Sequence, residues 1–149
     1  MAKYVFVAGE TVTAARINTL TTDAVSTIGP ASVGPFTTTA TAIVAAPAVV
    51  ADGVKKFKIT AFVRAVVGTV VTDVFNFSIT EVTAGTAVVA GNAALFVGTT
   101  AGIQSSCMTI SVPHVPAAGS RVYRLDCARA AGTGQATVYD SQIIVEQIA

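Results

Sequence analysis

Lys56-Phe57-Lys58-Ile59-Thr60-Ala61-Phe62-Val63-Arg64-Ala65 is the stretch that decides the fold. Phe57, Ile59, Ala61, Val63 and Ala65 fall on one face of an extended chain; Lys58, Thr60, Phe62 and Arg64 fall on the other. Side chains alternate across a strand with a period of two, so the pattern is that of a strand packed on one side and partly wet on the other. Gly68 ends it, and Asp52-Gly53 in front of it is a turn signal.

The same grammar continues downstream. Asp73 to Val82 sets Phe75, Phe77 and Ile79 inward against Asn76, Ser78 and Thr80. Thr86 to Val97 is strand-like but broken at Gly91-Asn92, which predicts two short strands or a bulge. Ser105 to Val112 places Met108, Ile110 and Val112 on its apolar face, and the prolines of Pro113-His114-Val115-Pro116 block further pairing. Arg121 to Arg129 turns Tyr123, Leu125 and Cys127 inward and Arg124 and Asp126 outward. Gly132-Thr133-Gly134 signals a hairpin into a final strand, Gln135 to Ile148, with a bulge near 140–142 where the apolar frame shifts. Upstream, Phe36 to Val50 forms a first strand interrupted at Pro47. Seven or eight strands with no helical period between them predict an all-β fold, an antiparallel β-sandwich or jelly roll. No internal repeat has a fixed period.

Residues 1 to 24 read differently. Lys3 to Val7 is a short β-prone piece able to add to a sheet edge. Thr11 or Thr13 can cap a helix running from about Thr13 to Ala24, with Ile17, Leu20 and Ala24 on one stripe. A helix of about three turns is marginal alone in water, so it must dock on its own body or on another protein. Ser26 to Thr41, with Gly29-Pro30 and Gly34-Pro35, reads as a linker or an extended arm. The expected organisation is therefore a short N-terminal helical anchor arm over 1–35 and a β-sandwich head over 36–149.

Composition limits what such a chain can be. Of 149 residues 52% are hydrophobic and 11% charged, less than half the charge usual for a soluble domain. Either a membrane or an assembly must cover that surface. The most apolar run, Ala42 to Ala51, is short and holds Pro47, whereas a spanning helix needs about 20 residues, so no membrane partner is expected. Tyr4 to Ala8 is too short for a signal peptide. Net charge is +1 with no basic stripe beyond Lys55, Lys56 and Lys58, which argues against nucleic acid. Burial against other subunits remains.

Two segments also carry a resemblance. Gly9-Glu10-Thr11-Val12-Thr13-Ala14-Ala15-Arg16-Ile17-Asn18 resembles the opening G-x-x-L-T-A-A-x-L-N of small structural proteins of tailed bacteriophages, with Val12 and Ile17 where leucine is commoner. Tyr123-Arg124-Leu125 through Gly132-Thr133-Gly134 to Ile143-Ile144-Val145-Glu146-Gln147-Ile148 resembles the closing hairpin of phage head and tail β-sandwich domains. Together they cover about a third of the chain. The resemblance implies a virion protein, assembled in the host cytoplasm, with a trimeric head and an N-terminal arm directed at the particle. On it, Tyr4, Phe6, Val12, Thr13, Arg16, Ile17, Asn18 and Leu20 are the expected partner-binding residues, the partner being a major capsid protein or tail subunits. Capsid decoration is the first functional expectation. A minor tail or receptor-binding protein is the second, requiring an aromatic or acidic groove on the loops around 98–102 and 115–119. A small jelly-roll lectin or enzyme is the third.

Catalytic chemistry is sparsely supplied. His114 is the only histidine and has no carboxylate near it in sequence. A metal site would need it to meet distant Asp or Cys ligands, and a Cys–His nucleophile would need Cys107 or Cys127 beside it. The carboxylates Glu10, Asp23, Asp52, Asp73, Glu81, Asp126, Asp140 and Glu146 are scattered; Asp52 fits a turn and Asp126 an exposed strand face. There is no Trp for sugar stacking, and no glycine-rich loop opens a helix. Cys107 and Cys127 could face each other if their strands pair across a turn near Ala117, but free, buried thiols are the expectation. The chain is thus read as non-enzymatic, without cofactor or metal.

Overall fold

A computed structural model describes residues 24–68, 73–83, 87–88, 93–96 and 104–148. The described residues form eleven strands and no helix: β1 (Ala24–Ile28), β2 (Thr41–Ala45), β3 (Val49–Ala51), β4 (Lys56–Gly68), β5 (Val74–Glu81), β6 (Ala87–Val88), β7 (Ala93–Phe96), β8 (Gln104–His114), β9 (Gly119–Arg121), β10 (Tyr123–Ala131) and β11 (Gln135–Ile148). All pairings are antiparallel. One sheet runs β1-β11-β4-β8. A second runs β2-β10-β5, with β6 and β7 both on the free side of β5, and β3 pairs β9 in a separate ribbon.

The pairing has a simple rule. β1 pairs β11, β2 pairs β10, β3 pairs β9, β4 pairs β8, and β5 pairs β7. Strands counted equally far from the two ends meet, so the chain is one long hairpin. The β11–β4 and β10–β5 ladders then join its levels side by side into two sheets.

The two sheets share one core. Phe57, Ile59, Ala61 and Val63 of β4 and Ile143 and Val145 of β11 face Phe75, Phe77 and Ile79 of β5 and Tyr123, Leu125 and Cys127 of β10. The alternation read from Lys56 onward holds through Arg64: the even-numbered partners Lys58, Phe62 and Arg64 lie outside, with Thr60 half-buried. Asp52 makes the expected turn, its Oδ1 accepting from the backbone N–H of Val54 at 2.9 Å and Lys55 at 2.7 Å. Those two bonds hold its carboxyl below the usual carboxylate range.

Several expectations change. The helix proposed over 13–24 lies outside the described residues except Ala24, which opens β1. The linker read over 26–41 is in large part built into the fold. β1 is hydrogen-bonded to β11, Val33 bridges Val138, and Phe36 is fully buried in the core. Gly-Pro pairs mark where this segment turns, but Val25, Val33 and Phe36 between them supply the apolar contacts that tie it down. Residues 24–36 thus pair and pack with the strands that follow them.

Gly132-Thr133-Gly134 is not a hairpin turn. β10 and β11 belong to different sheets, and this turn carries the chain across. Pro113 does not end pairing either; it stands opposite Lys58 inside β8. β8 is an edge strand, where a missing N–H costs no ladder bond if it faces outward. The bulge sits at Tyr139, where the β11–β4 register shifts between Val138 and Asp140, a residue before its expected place.

Candidate functional site

The eight expected anchor residues, Tyr4, Phe6, Val12, Thr13, Arg16, Ile17, Asn18 and Leu20, lie outside the described residues, as does the loop around 98–102. Among the described residues, one end of the two sheets gathers the chemistry. β8 ends at His114, β9 ends at Arg121, β5 ends at Glu81 and β10 begins at Tyr123. Tyr123 and Glu81 are opposite each other across the β10–β5 ladder.

Their side chains form one network. Arg121 Nη1 donates to Glu81 Oε1 at 3.0 Å, Nε to the carbonyl of Ala117 at 2.8 Å, and Nη2 to that of Ala118 at 2.7 Å. His114 Nδ1 and Tyr123 Oη share a hydrogen bond of 3.0 Å, and the two rings meet edge to face at 5.9 Å. His114 Nε2 stands 4.0 Å from Glu81 Oε2. Burial, with the Glu81 charge added to it, pushes the Tyr123 phenol up to about 12, so it remains a neutral hydroxyl. Sequence reasoning found His114 without a carboxylate because Glu81 is remote in the chain; only the β5–β10 pairing brings it near.

The network grips a tip rather than opening a cleft. Its members hold the 115–118 loop and the β3–β9 ribbon in place, and Val50, Val54 and Val115 stand exposed around them. Val50 and Val54 are 83% and 82% exposed. Beside the ribbon, Val25, Ala48, Val49, Val50 and Phe57 line an open apolar cavity of about 260 Å³.

Elsewhere the expected chemistry does not converge. Cys107 and Cys127 are free; they belong to different sheets, so no turn near Ala117 pairs their strands. Cys127 is buried, and burial pushes its thiol up to about 12. Cys107 is exposed, contrary to expectation, because it shares the outer face of β8 with Thr109 and Ser111. Neither is in a pair with His114, whose side-chain contacts are the tyrosine and glutamate described above. Asp126 is 3% exposed rather than on a wet face, and Arg124 Nε meets its Oδ1 at 2.6 Å in a two-pronged pair. Asp73, also buried, accepts from the backbone N–H of Gly134 at 3.0 Å and clasps the turn between sheets. Among the described residues no three His, Cys, Asp or Glu side chains are grouped to hold a metal ion, and no helix could cross a membrane.

No family model matches the chain, and no curated protein matches it. Solved structures of infectious bursal disease virus align in part. A chain of the Gx strain aligns with TM-score 0.43 and 13% identity, over 83% of this chain and 30% of that one. A chain of the Gt strain gives TM-score 0.46 and 12% identity, over 82% and 32%. A chain of the crystal structure of the viral particle gives 0.43 and 12%, over 85% and 36%. The protein thus spans about a third of the length of the chains it aligns with. Likeness at this level fixes neither topology nor role.

Proposed function

We propose that this chain is a non-enzymatic structural protein of a bacteriophage virion, a jelly roll that decorates the capsid by binding major capsid protein. The observation that carries the reading is exposed apolar surface on a chain with 11% charge: Ile28, Val50, Val54 and Val115 all lie open among the described residues. Surface of that kind belongs against other subunits. The resemblance of residues 9–18 and 123–148 to phage structural proteins directs the choice of partner. The pairing of strands counted from the two ends supports the jelly-roll assignment, since a hairpin wound on itself gives two Greek keys. In this reading the segment holding Tyr4 to Leu20 contacts the shell, the head is a homotrimer, and assembly occurs in the host cytoplasm.

The test is co-sedimentation with purified phage shells, using the full chain and one beginning at Ala24. Binding by the full chain alone supports decoration through the N-terminal segment. Failure of both to bind rejects it.

A minor tail or receptor-binding role is the second reading. It is favoured by Phe62 and Tyr139, half-exposed on the outer face of β4 and β11, with the Arg64 guanidinium 6.0 Å from the Tyr139 ring centre. That role expects saccharide binding lost in Phe62→Ala and Tyr139→Ala. The 115–119 loop gives it no aromatic and no carboxylate.

A further inference from the structure

The four-stranded sheet leaks apolar surface at both of its edges. Val25 on β1 and Met108 and Val112 on β8 are half-buried and pack against the core. Among the described residues β1 pairs only β11 and β8 pairs only β4. Natural edges are blunted by charge, bulges or proline. β1 has none of these, and β8 has Pro113 alone, with no Lys, Arg, Asp or Glu in either strand. Next to Val25 lies the open cavity walled by Ala48, Val49, Val50 and Phe57.

We infer that the occupant of these edges is a second copy of this chain, the β8 edge of one protomer adding to the β1 edge of the next. Direction allows it. The sheet has an even number of antiparallel strands, so β1 and β8 run opposite ways. Rotation about an axis along the strands preserves direction, so the new neighbours are antiparallel and the ladder pattern continues. Such a contact is head-to-tail, and it closes into a trimer when the rotation from one protomer to the next is a third of a turn.

Level allows it too. Ser26 stands in one row with Ile144, Thr60 and Ser111, and Val25 in the next with Val145, Ile59 and Val112. A neighbour at the same height sets its Ser26 beside Ser111 on the outer face and its Val25 beside Val112 on the inner one. The half-buried valines then cover each other, and backbone groups left to water on both edges gain partners. This deepens the oligomeric part of the proposed function and leaves shell binding to other residues.

The experiment is solution mass of the full chain at tens of micromolar. The wild type is expected to be a closed oligomer. Ser26→Lys with Ser111→Lys places like charges opposite each other across the joint and is expected to give monomer with unchanged far-ultraviolet circular dichroism. Ser26→Asp with Ser111→Lys is expected to restore the wild-type mass, which a misfolded Lys/Lys variant would not explain. Thr41→Lys, on the edge of the other sheet, is expected to keep that mass. A monomeric wild type, a Lys/Lys variant of wild-type mass, or dissociation by Thr41→Lys overturns the inference. Shell binding by the monomeric variant shows that decoration stands apart from it.

Discussion

At the scale of residues, burial decides what each polar group does. Glu81 and Arg121 are 5% and 12% exposed at their side chains and share a 3.0 Å bond. Removing one member of such a pair strands the other, at about 3–5 kcal/mol. Glu81→Ala should therefore lower the unfolding free energy by about 3 kcal/mol and free the 117–118 carbonyls, measured by denaturant titration and by proteolysis at that loop. Tyr123 and Cys127 set an alkaline limit. Both are held near 12 in the fold, above ordinary values of 10.0 and 9.0. The fold therefore grips these protons more tightly than the unfolded chain does. Their contribution is complete below about pH 9 and is lost as pH rises towards 12. Cys127→Ala should flatten the lower part of that loss. A thiol reagent at neutral pH should modify one cysteine per native chain, Cys107, and two after unfolding. Alternation placed Tyr123 and Cys127 inward, as they are, but Cys107 was expected buried and is exposed, and Asp126 was expected on an outer face and is covered; period alone does not say which outer face a neighbour covers.

At the scale of elements, the strands were legible wherever one face alternated with the other. β4, β5 and β10 fall where Phe57–Val63, Phe75–Ile79 and Tyr123–Cys127 repeat every second residue, and β11 where Ala136–Val138 and Ile143–Val145 do so on either side of its bulge. β1 was not legible, because Ala24-Val25-Ser26-Thr27-Ile28 is short and sits between a helical pattern and Gly29-Pro30. Its strand state comes from the β11 edge it pairs with, a tertiary override of local signal. The turn at 132–134 shows the same limit. Its glycines announce a reversal but not whether the next strand returns to the same sheet. Gly132 has φ +82° and lies against the Asp73 carboxylate, which a Cβ would overlap. Gly132→Ala should cost about 1–3 kcal/mol, read as a lower melting temperature, from positive φ and that clash together. Thr133→Ala in the same turn should cost little.

At the scale of the whole molecule, the strand pairing ties residues from Ala24 onward to the core, although the sequence placed the start of the head at Phe36. A chain beginning at Phe36 loses β1 and the Val33–Val138 bridge, and uncovers Ile143 and Val145 at one edge. It should unfold at lower denaturant or aggregate, whereas a chain beginning at Ala24 should retain the circular dichroism of the full protein. The anchor residues read from the first two dozen positions lie outside the described residues, so the shell contact rests on resemblance, while the tip, its charge network and its exposed valines come from the fold. That tip was illegible beforehand because Glu81, His114, Arg121 and Tyr123 meet only through β5, β8, β9 and β10.

The rule that joins first strand to last also governs when the protein can exist at all. A ribosome delivers the chain from its N-terminus, and among the described strands β11 emerges after the others, yet it stands in the middle of its sheet between β1 and β4. Until β11 is out, β1 has no ladder partner among the described strands and one edge of β4 is unpaired. The β5–β7 and β5–β6 contacts close over short separations and can form first, and the β4–β8 and β5–β10 ladders join strands that also precede β11. Translation therefore leaves the four-stranded sheet split until its final strand arrives, and a nascent chain stalled before that point exposes the facing edges of β1 and β4 to chaperones and proteases.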